Sequence, residues 1–175
     1  MSEITFNFDA KATSLIESYA KDGAASGLTF AEARDKNNRA VRFNITCESA
    51  GDLLVSDYGH SVLCKILSSE DVMKLETIED AASASLPEGI EFKPFVKDDK
   101  FFMKLPHKNE RYKANIDPPF TPNQTDKSPF HQGSEIQIES SVSVWVNFDN
   151  SQAGLFLNIF KVIVDGGKKK SLRRR

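Results

Sequence analysis

The spacing of apolar residues predicts strands along much of the chain. Apolar and polar residues alternate in the segments 41–48 and 135–148, which is the pattern of a strand with one buried face. The apolar positions are Val41, Phe43, Ile45 and Cys47 in the first segment and Ile136, Ile138, Val142, Val144, Val146 and Phe148 in the second. The segment 155–164 is apolar at both parities, which predicts a strand buried on both faces.

Weaker patterns predict the remaining elements. Short strands are predicted at 4–8, 90–96, 100–105 and 111–115. Helices are predicted over 11–20, with Asp9 as N-cap, and over 70–84, with Ser68 or Ser69 as N-cap. The segment 53–67 could form a hairpin, or its second part, 61–67, could lead into a helix.

These elements predict a mainly β protein with a few short helices. We expect a single domain over residues 1–167, with its core within 36–167, and a disordered basic tail over 168–175. The connection 117–133 is rich in proline, and its length is typical of a binding loop or a disordered segment.

Composition narrows the class of protein. The 175 residues are 39% hydrophobic and 27% charged, as in a folded domain with a sizeable core. No apolar run approaches the roughly 20 residues that span a bilayer, and the N-terminal residues do not resemble a secretion signal. Cys47 and Cys64 cannot form a multi-bridge disulfide framework, so we expect two buried thiols in a cytosolic or nuclear protein without membrane association.

The net charge of −2 conceals an asymmetry between the two halves of the chain. Residues 1–90 contain 8 Lys/Arg and 15 Asp/Glu, a net charge of −7, whereas residues 91–175 contain 15 Lys/Arg and 10 Asp/Glu, a net charge of +5. Such a division indicates a surface for a charged partner in the basic half.

Motifs for catalysis and metal binding are absent from the sequence. His60, His107 and His131 are far apart, and the cysteines form no Cys-x-x-Cys pair. There is no nucleophile elbow, phosphate-binding glycine loop or dinucleotide fingerprint. The pair Asp98 and Asp99 is more typical of a turn than of a metal site. We therefore predict a protein that is not an enzyme and that uses no metal or cofactor.

A binding function has stronger support than catalysis, from the segment between Phe92 and Lys113. Seven basic residues stand there against three acidic ones, with aromatic residues between them. The basic residues are Lys93, Lys97, Lys100, Lys104, Lys108, Arg111 and Lys113, and the aromatic ones include Phe92, Phe95, Phe101, Phe102 and Tyr112. Single-stranded nucleic acid requires this combination, because cations contact the phosphates and flat side chains stack on the bases.

Strand parity separates core aromatic residues from surface ones. The predicted core positions of the segment 100–105 are Phe101, Met103 and Leu105. Phe102 falls on the other face between Lys100 and Lys104, where it either stacks on a base or packs against a neighbouring loop. Trp145, the only tryptophan, stands on a polar parity and either stacks on a base or is buried under the connection 117–133.

The order of elements in the second half resembles one family. The strand Phe101-Phe102-Met103-Lys104-Leu105 precedes the proline-rich connection and His131-Gln132-Gly133-Ser134-Glu135-Ile136. The long strand with Trp145, the turn Ala153-Gly154 and the apolar strand closing with Val162-Ile163-Val164-Asp165-Gly166-Gly167 follow. This order, over about residues 90–167, is similar to the single-stranded DNA-binding proteins of tailed phages and related large DNA viruses.

The resemblance implies an OB-fold-like antiparallel barrel with N-terminal additions. It also implies a replication protein that coats and protects single strands, with polymerase or helicase as further partners and a homo-oligomer as one assembly state. The positions that match the family's DNA contacts are Phe102, Lys104 and Trp145. The chain departs from the family in its basic end, because the phage proteins usually carry a strongly acidic tail. The segment 168–175 could contact phosphates, direct nuclear import or have no special task.

We therefore expect binding of single-stranded DNA without strong sequence preference, during viral or phage DNA replication, recombination or repair. The expected compartment is the host cytoplasm, or the host nucleus if the tail directs import. The predicted DNA-binding residues are Lys93, Lys97, Lys100, Phe102, Lys104, Lys108, Arg111, Tyr112, Lys113 and Trp145. The alternative is a protein–protein module of a virion or transcription complex that uses the proline-rich connection as its contact.

Overall fold

The structure is a computed structural model that describes residues 4–23, 25–57, 59–108 and 110–165, without the side chain of Lys108. Its strands are β1 (Thr5–Phe6), β2 (Leu28–Arg34), β3 (Arg42–Ser49), β4 (Leu54–Ser56), β5 (Gly59–Ile66), β6 (Glu91–Lys93), β7 (Lys100–Leu105), β8 (His107–Lys108), β9 (Arg111–Tyr112), β10 (Asn115–Asp117), β11 (Glu135–Asn147) and β12 (Gln152–Val164). Its helices are α1 (Ala10–Asp22), α2 (Ser69–Ala84) and a 3-10 helix over Pro122–Lys127. Strands make up 45% of the structure and helices 22%, which confirms the mainly β prediction.

The predicted OB-fold barrel is not confirmed. A barrel requires each strand to have a partner on both sides, so that the sheet closes on itself. Among the described residues, β1, β4 and β7 each pair with a single strand, and the sheet is not closed. Most pairs are antiparallel, whereas β6 and β10 run parallel to β12. In this part of the chain, no helix combines the length and the apolar character needed to cross a membrane.

The described chain divides into two compact units, each assembled from three segments. The first unit comprises residues 4–42, 73–95 and 141–158, and the second comprises 43–72, 96–140 and 159–165. Four of the five points where the chain passes from one unit to the other lie inside β3, α2, β11 and β12. The sequence reveals no boundary at these four points, because the hydrophobic pattern of each helix or strand continues unchanged across the division between the units.

The first unit has β1, β2, β11, β12 and β6 as successive neighbours. Its helix α1 begins at Asp9, whose Oδ1 accepts a hydrogen bond of 2.7 Å from a first-turn N–H, and ends at the left-handed Gly23. The Tyr19 ring packs 5.7 Å from that of Phe148, and the Tyr19 hydroxyl is 2.9 Å from the Ser151 Oγ. These contacts attach α1 to the turn between β11 and β12.

The second unit has β3 between β11 and β5, and β7 on the other side of β5. β4 and β5 form a hairpin, and β5 then leads into α2, which begins at Ser69, so both alternatives for the segment 53–67 occur in the structure. The predicted core parity of β7 is confirmed, because Phe101, Met103 and Leu105 are buried. Cys47 and Cys64 are buried free thiols, and a hydrogen bond with Cys64 together with burial raises the pKa of Cys47.

β2, β12 and the predicted strand 111–115, which is divided into β9 and β10, differ from the sequence prediction. β2 was not predicted, because its buried positions are the small residues Thr29, Ala31 and Ala33, while Leu28 and Phe30 are exposed. This is the reverse of the usual pattern for a half-buried strand. The prediction that 155–164 is buried on both faces is also wrong, since the middle of β12 is partly exposed on both.

The connection 117–133 has local structure within the second unit. It contains the 3-10 helix, and the Phe120 and Phe130 side chains on either side of that helix are buried. Their ring centroids are 5.9 Å apart, so the connection is anchored by its own aromatic residues.

Candidate nucleic-acid interface

β7 contains the centre of the predicted binding surface. Because side chains alternate along a strand, burial of Phe101 places its neighbour Phe102 on the opposite face. Phe102 is 49% exposed and stands between the half-buried Lys100 and the exposed Lys104. This exposure favours the surface interpretation of Phe102 over packing beneath a loop.

The pairing of β7 with β5 adds residues that the sequence analysis missed. Leu63 is opposite Phe102, and Lys65 is opposite Lys100. Directly opposed residues of an antiparallel pair lie on the same face, so Lys65 supplies a third cation beside the Phe102 ring. We call Lys65, Lys100, Phe102 and Lys104 the cationic face. Lys65 could be found only from the strand register, because it lies 35 positions before Lys100.

Among the described residues, no carboxylate oxygen lies within 4.0 Å of the ammonium nitrogen of a lysine of the cationic face. Glu48 of β3 is opposite Lys65 in the strand register, but the two do not form an ion pair. Lys100 and Lys104 are separated by about 13 Å along the strand, from a rise of roughly 3.3 Å per residue. A flexible polyanion could contact such a row of cations through phosphates along its backbone.

The carboxylate pair Asp98 and Asp99 forms the turn before β7. Lys97 and Lys100 close it with two backbone hydrogen bonds of 2.9 and 3.0 Å, while Asp98 and Asp99 occupy its centre with φ of 54° and 62°. Positive φ at both central residues is the geometry of a tight hairpin turn, for which Asp is well suited. Across the described residues no group of three or more His, Cys, Asp or Glu side chains could hold a metal ion.

Tyr112 lies in an aromatic cluster. Its hydroxyl is 2.5 Å from His60 Nδ1, and its ring centroid is 5.1 Å from that of Phe120. The His107 ring is 4.9 Å from the His60 ring, so the fold unites two histidines that are distant in sequence. Burial raises the pKa of Tyr112 to about 12, and burial together with His107 lowers the pKa of His60. These contacts leave the Tyr112 ring less accessible to a base than the Phe102 ring.

The remaining predicted residues are divided between the two units. Lys97, Arg111 and Lys113 are exposed in the second unit, whereas Lys93 and Trp145 belong to the first. The backbone of Lys108 pairs with Arg111 in the β8–β9 hairpin. The predicted tail 168–175 lies outside the described residues.

Trp145 is half-buried on β11, where it is opposite Phe30 of β2. Its indole lies against Gly154 of β12, so that a Cβ added to this glycine would be 2.9 Å from two ring atoms. Contacts between real Cβ atoms and other atoms are essentially never that short, so the glycine is required for this position of the indole.

Comparison of the chain with protein-family models, curated proteins and solved structures finds no match. The resemblance to viral single-stranded DNA-binding proteins therefore stays an expectation, and the side chains described above have to support any functional proposal.

Proposed function

We propose that the protein binds single-stranded DNA, without strong sequence preference, through the cationic face. The observation that supports this most directly is the exposed Phe102 ring, flanked on its own strand by Lys100 and Lys104 and on β5 by Lys65. Phe101, the preceding residue, is buried in the core, so the strand directs Phe102 to the opposite face beside these cations.

Each part of this surface has a separate task. The three lysines contact phosphates and release the counterions condensed on the strand. The Phe102 ring stacks on a base, and such stacking contributes about 1–3 kcal/mol per base whatever its identity. A duplex keeps its bases stacked on each other, so the ring has nothing to contact there. This is why we expect a preference for single strands.

In this role the protein would coat and protect single strands during replication, recombination or repair. It would act by occupancy alone, without catalysis, metal or cofactor. Polymerase or helicase would be further partners of the coated strand. The protein–protein alternative gains little from the proline-rich connection, because its Phe120 and Phe130 side chains are buried.

The test is fluorescence anisotropy with labelled oligo-dT, a duplex of the same length and a single-stranded RNA. We expect the tightest binding to single-stranded DNA and a clear loss of affinity for the double variant Lys100→Ala/Lys104→Ala. Lys11→Ala/Lys36→Ala is the matched control, because it removes the same charge from two exposed positions of the first unit. An equal loss of oligo-dT affinity in both double variants would show a general effect of charge and would contradict a specific role of the cationic face. No affinity of the wild type for oligo-dT would refute the proposal.

A further inference from the structure

The outward face of the first unit exposes apolar side chains that the cationic face does not include. On β2, Leu28 is 54% and Phe30 is 52% exposed, while Ala31 and Ala33 are buried. The large residues of this strand are therefore outside and the small ones inside. Core packing favours the opposite order, so it does not account for a phenylalanine at position 30.

Three flat side chains meet on neighbouring strands of this face. Trp145 of β11 is directly opposite Phe30 of β2. The ring of Phe156, on β12, is 5.6 Å from that of Phe30 and nearly perpendicular to it, at 84°. Gly154, two residues before Phe156, lies against the Trp145 indole. We call Phe30, Trp145 and Phe156 the aromatic face.

A cation borders this row of rings. In the parallel pair of β12 and β6, Lys93 is beside Gly154. Because Gly154 lies against the Trp145 indole, Lys93 is near that ring. The Lys93 side chain is 48% exposed, and its Nζ is 3.6 Å from Glu91 Oε1. An ammonium group has three hydrogens to donate, so Lys93 can contact a phosphate while its long ion pair persists.

The charges around the aromatic face are otherwise balanced. Arg34 Nη2 is 3.0 Å from Glu32 Oε1, and Lys93 is paired with Glu91. Arg34 and Lys93 are thus each ion-paired with a carboxylate, whereas the lysines of the cationic face form no such pair among the described residues. A nucleic acid bound here would gain affinity mainly from stacking on the rings, with little counterion release.

We propose that the aromatic face is a second contact for single-stranded DNA, at which bases stack on Phe30, Trp145 and Phe156 and Lys93 contacts a phosphate. This inference rests on the proposed function and extends it to the first unit. Aromatic side chains on the strands of an open sheet are a common platform for two or three bases. Here Phe30 is exposed, and Trp145 and Phe156 are half-buried beside it. A protein partner would bury Leu28 together with Phe30, whereas a base requires only the flat ring.

The test compares single substitutions on β2 in the full chain. Phe30→Ala should weaken oligo-dT binding about five- to a hundredfold, as expected for the loss of one stacked base. The slope of log affinity against log salt should not change, because no cation is removed. Phe30→Tyr should retain the affinity because its ring still stacks. Leu28→Ala is the matched control, equally exposed on the same strand, and should bind like the wild type.

Oligo-dT should also quench the fluorescence of Trp145, the single tryptophan. If Phe30→Ala binds oligo-dT as tightly as the wild type while Lys100→Ala/Lys104→Ala loses binding, the second contact is overturned and the proposed function stands. Equal losses in Leu28→Ala and Phe30→Ala, with a change of oligomeric state on size exclusion, would assign the aromatic face to a protein interface instead. Failure of the wild type to bind oligo-dT would overturn both proposals.

Discussion

Replacing Phe102 by alanine should weaken DNA binding while changing stability only slightly. Phe102 is 49% exposed, so truncation removes about half of the burial of a phenylalanine, or about 1 kcal/mol of unfolding free energy. The same truncation removes one stacked base, which costs about 1–3 kcal/mol of binding free energy. We therefore expect a dissociation constant about five- to a hundredfold higher at constant salt.

Phe101, the preceding residue on β7, provides a matched control. It is 2% exposed and its side chain fills the core of the second unit. Phe101→Ala should therefore cost about 3–5 kcal/mol of unfolding free energy. Urea unfolding and anisotropy titration of both variants separate the two effects. The reasoning is refuted if Phe102→Ala binds oligo-dT within twofold of the wild type, or if it destabilises the protein as much as Phe101→Ala does.

Substitutions at four further positions test other contacts in the structure. Gly154→Ala should lower the unfolding free energy by about 1–3 kcal/mol and shift the emission of Trp145, because the new Cβ would be 2.9 Å from the indole; an unchanged emission maximum would contradict that contact. Tyr112→Phe should cost about 1–3 kcal/mol in urea unfolding, since His60 Nδ1 loses its partner. The folded-state pKa of His60 lies below the ordinary 6.5, so its contribution to stability is present above pH 6.5 and is lost as the pH falls through the folded-state pKa. Stability measured at pH 7.5 and pH 5 should therefore fall less in His60→Gln than in the wild type; an equal fall would exclude His60 as a contributor. Asp9→Ala should cost about 1 kcal/mol through loss of the α1 cap, and Asp9→Asn should restore most of it.

Many helices and strands could be predicted from local patterns, because their formation depends on residues that are neighbours in sequence. The alternation along β3, β7 and β11 and the N-cap at Asp9 were all sufficient to place those elements. The parity of β7 alone also separated Phe101 from Phe102, which is the distinction on which the cationic face depends.

Features that depend on pairing between distant strands could not be predicted in the same way. Lys65 joins the cationic face only through its register with Lys100, and His60 meets His107 only through the fold. β2 escaped prediction because the exposed Phe30 reversed its hydrophobic pattern. Closure of a barrel likewise depends on which edges pair, and no local pattern encodes that. The resemblance therefore suggested a barrel where the described strands leave the sheet open.

The salt dependence of single-stranded DNA binding tests the central claim most directly. Each phosphate contact made by a lysine contributes about −0.7 to the slope of log affinity against log salt on single strands. The triple variant Lys65→Ala/Lys100→Ala/Lys104→Ala should therefore have a slope shallower than the wild type by about 2. Identical slopes in the two proteins, or a wild type whose affinity does not change with salt, would contradict the account.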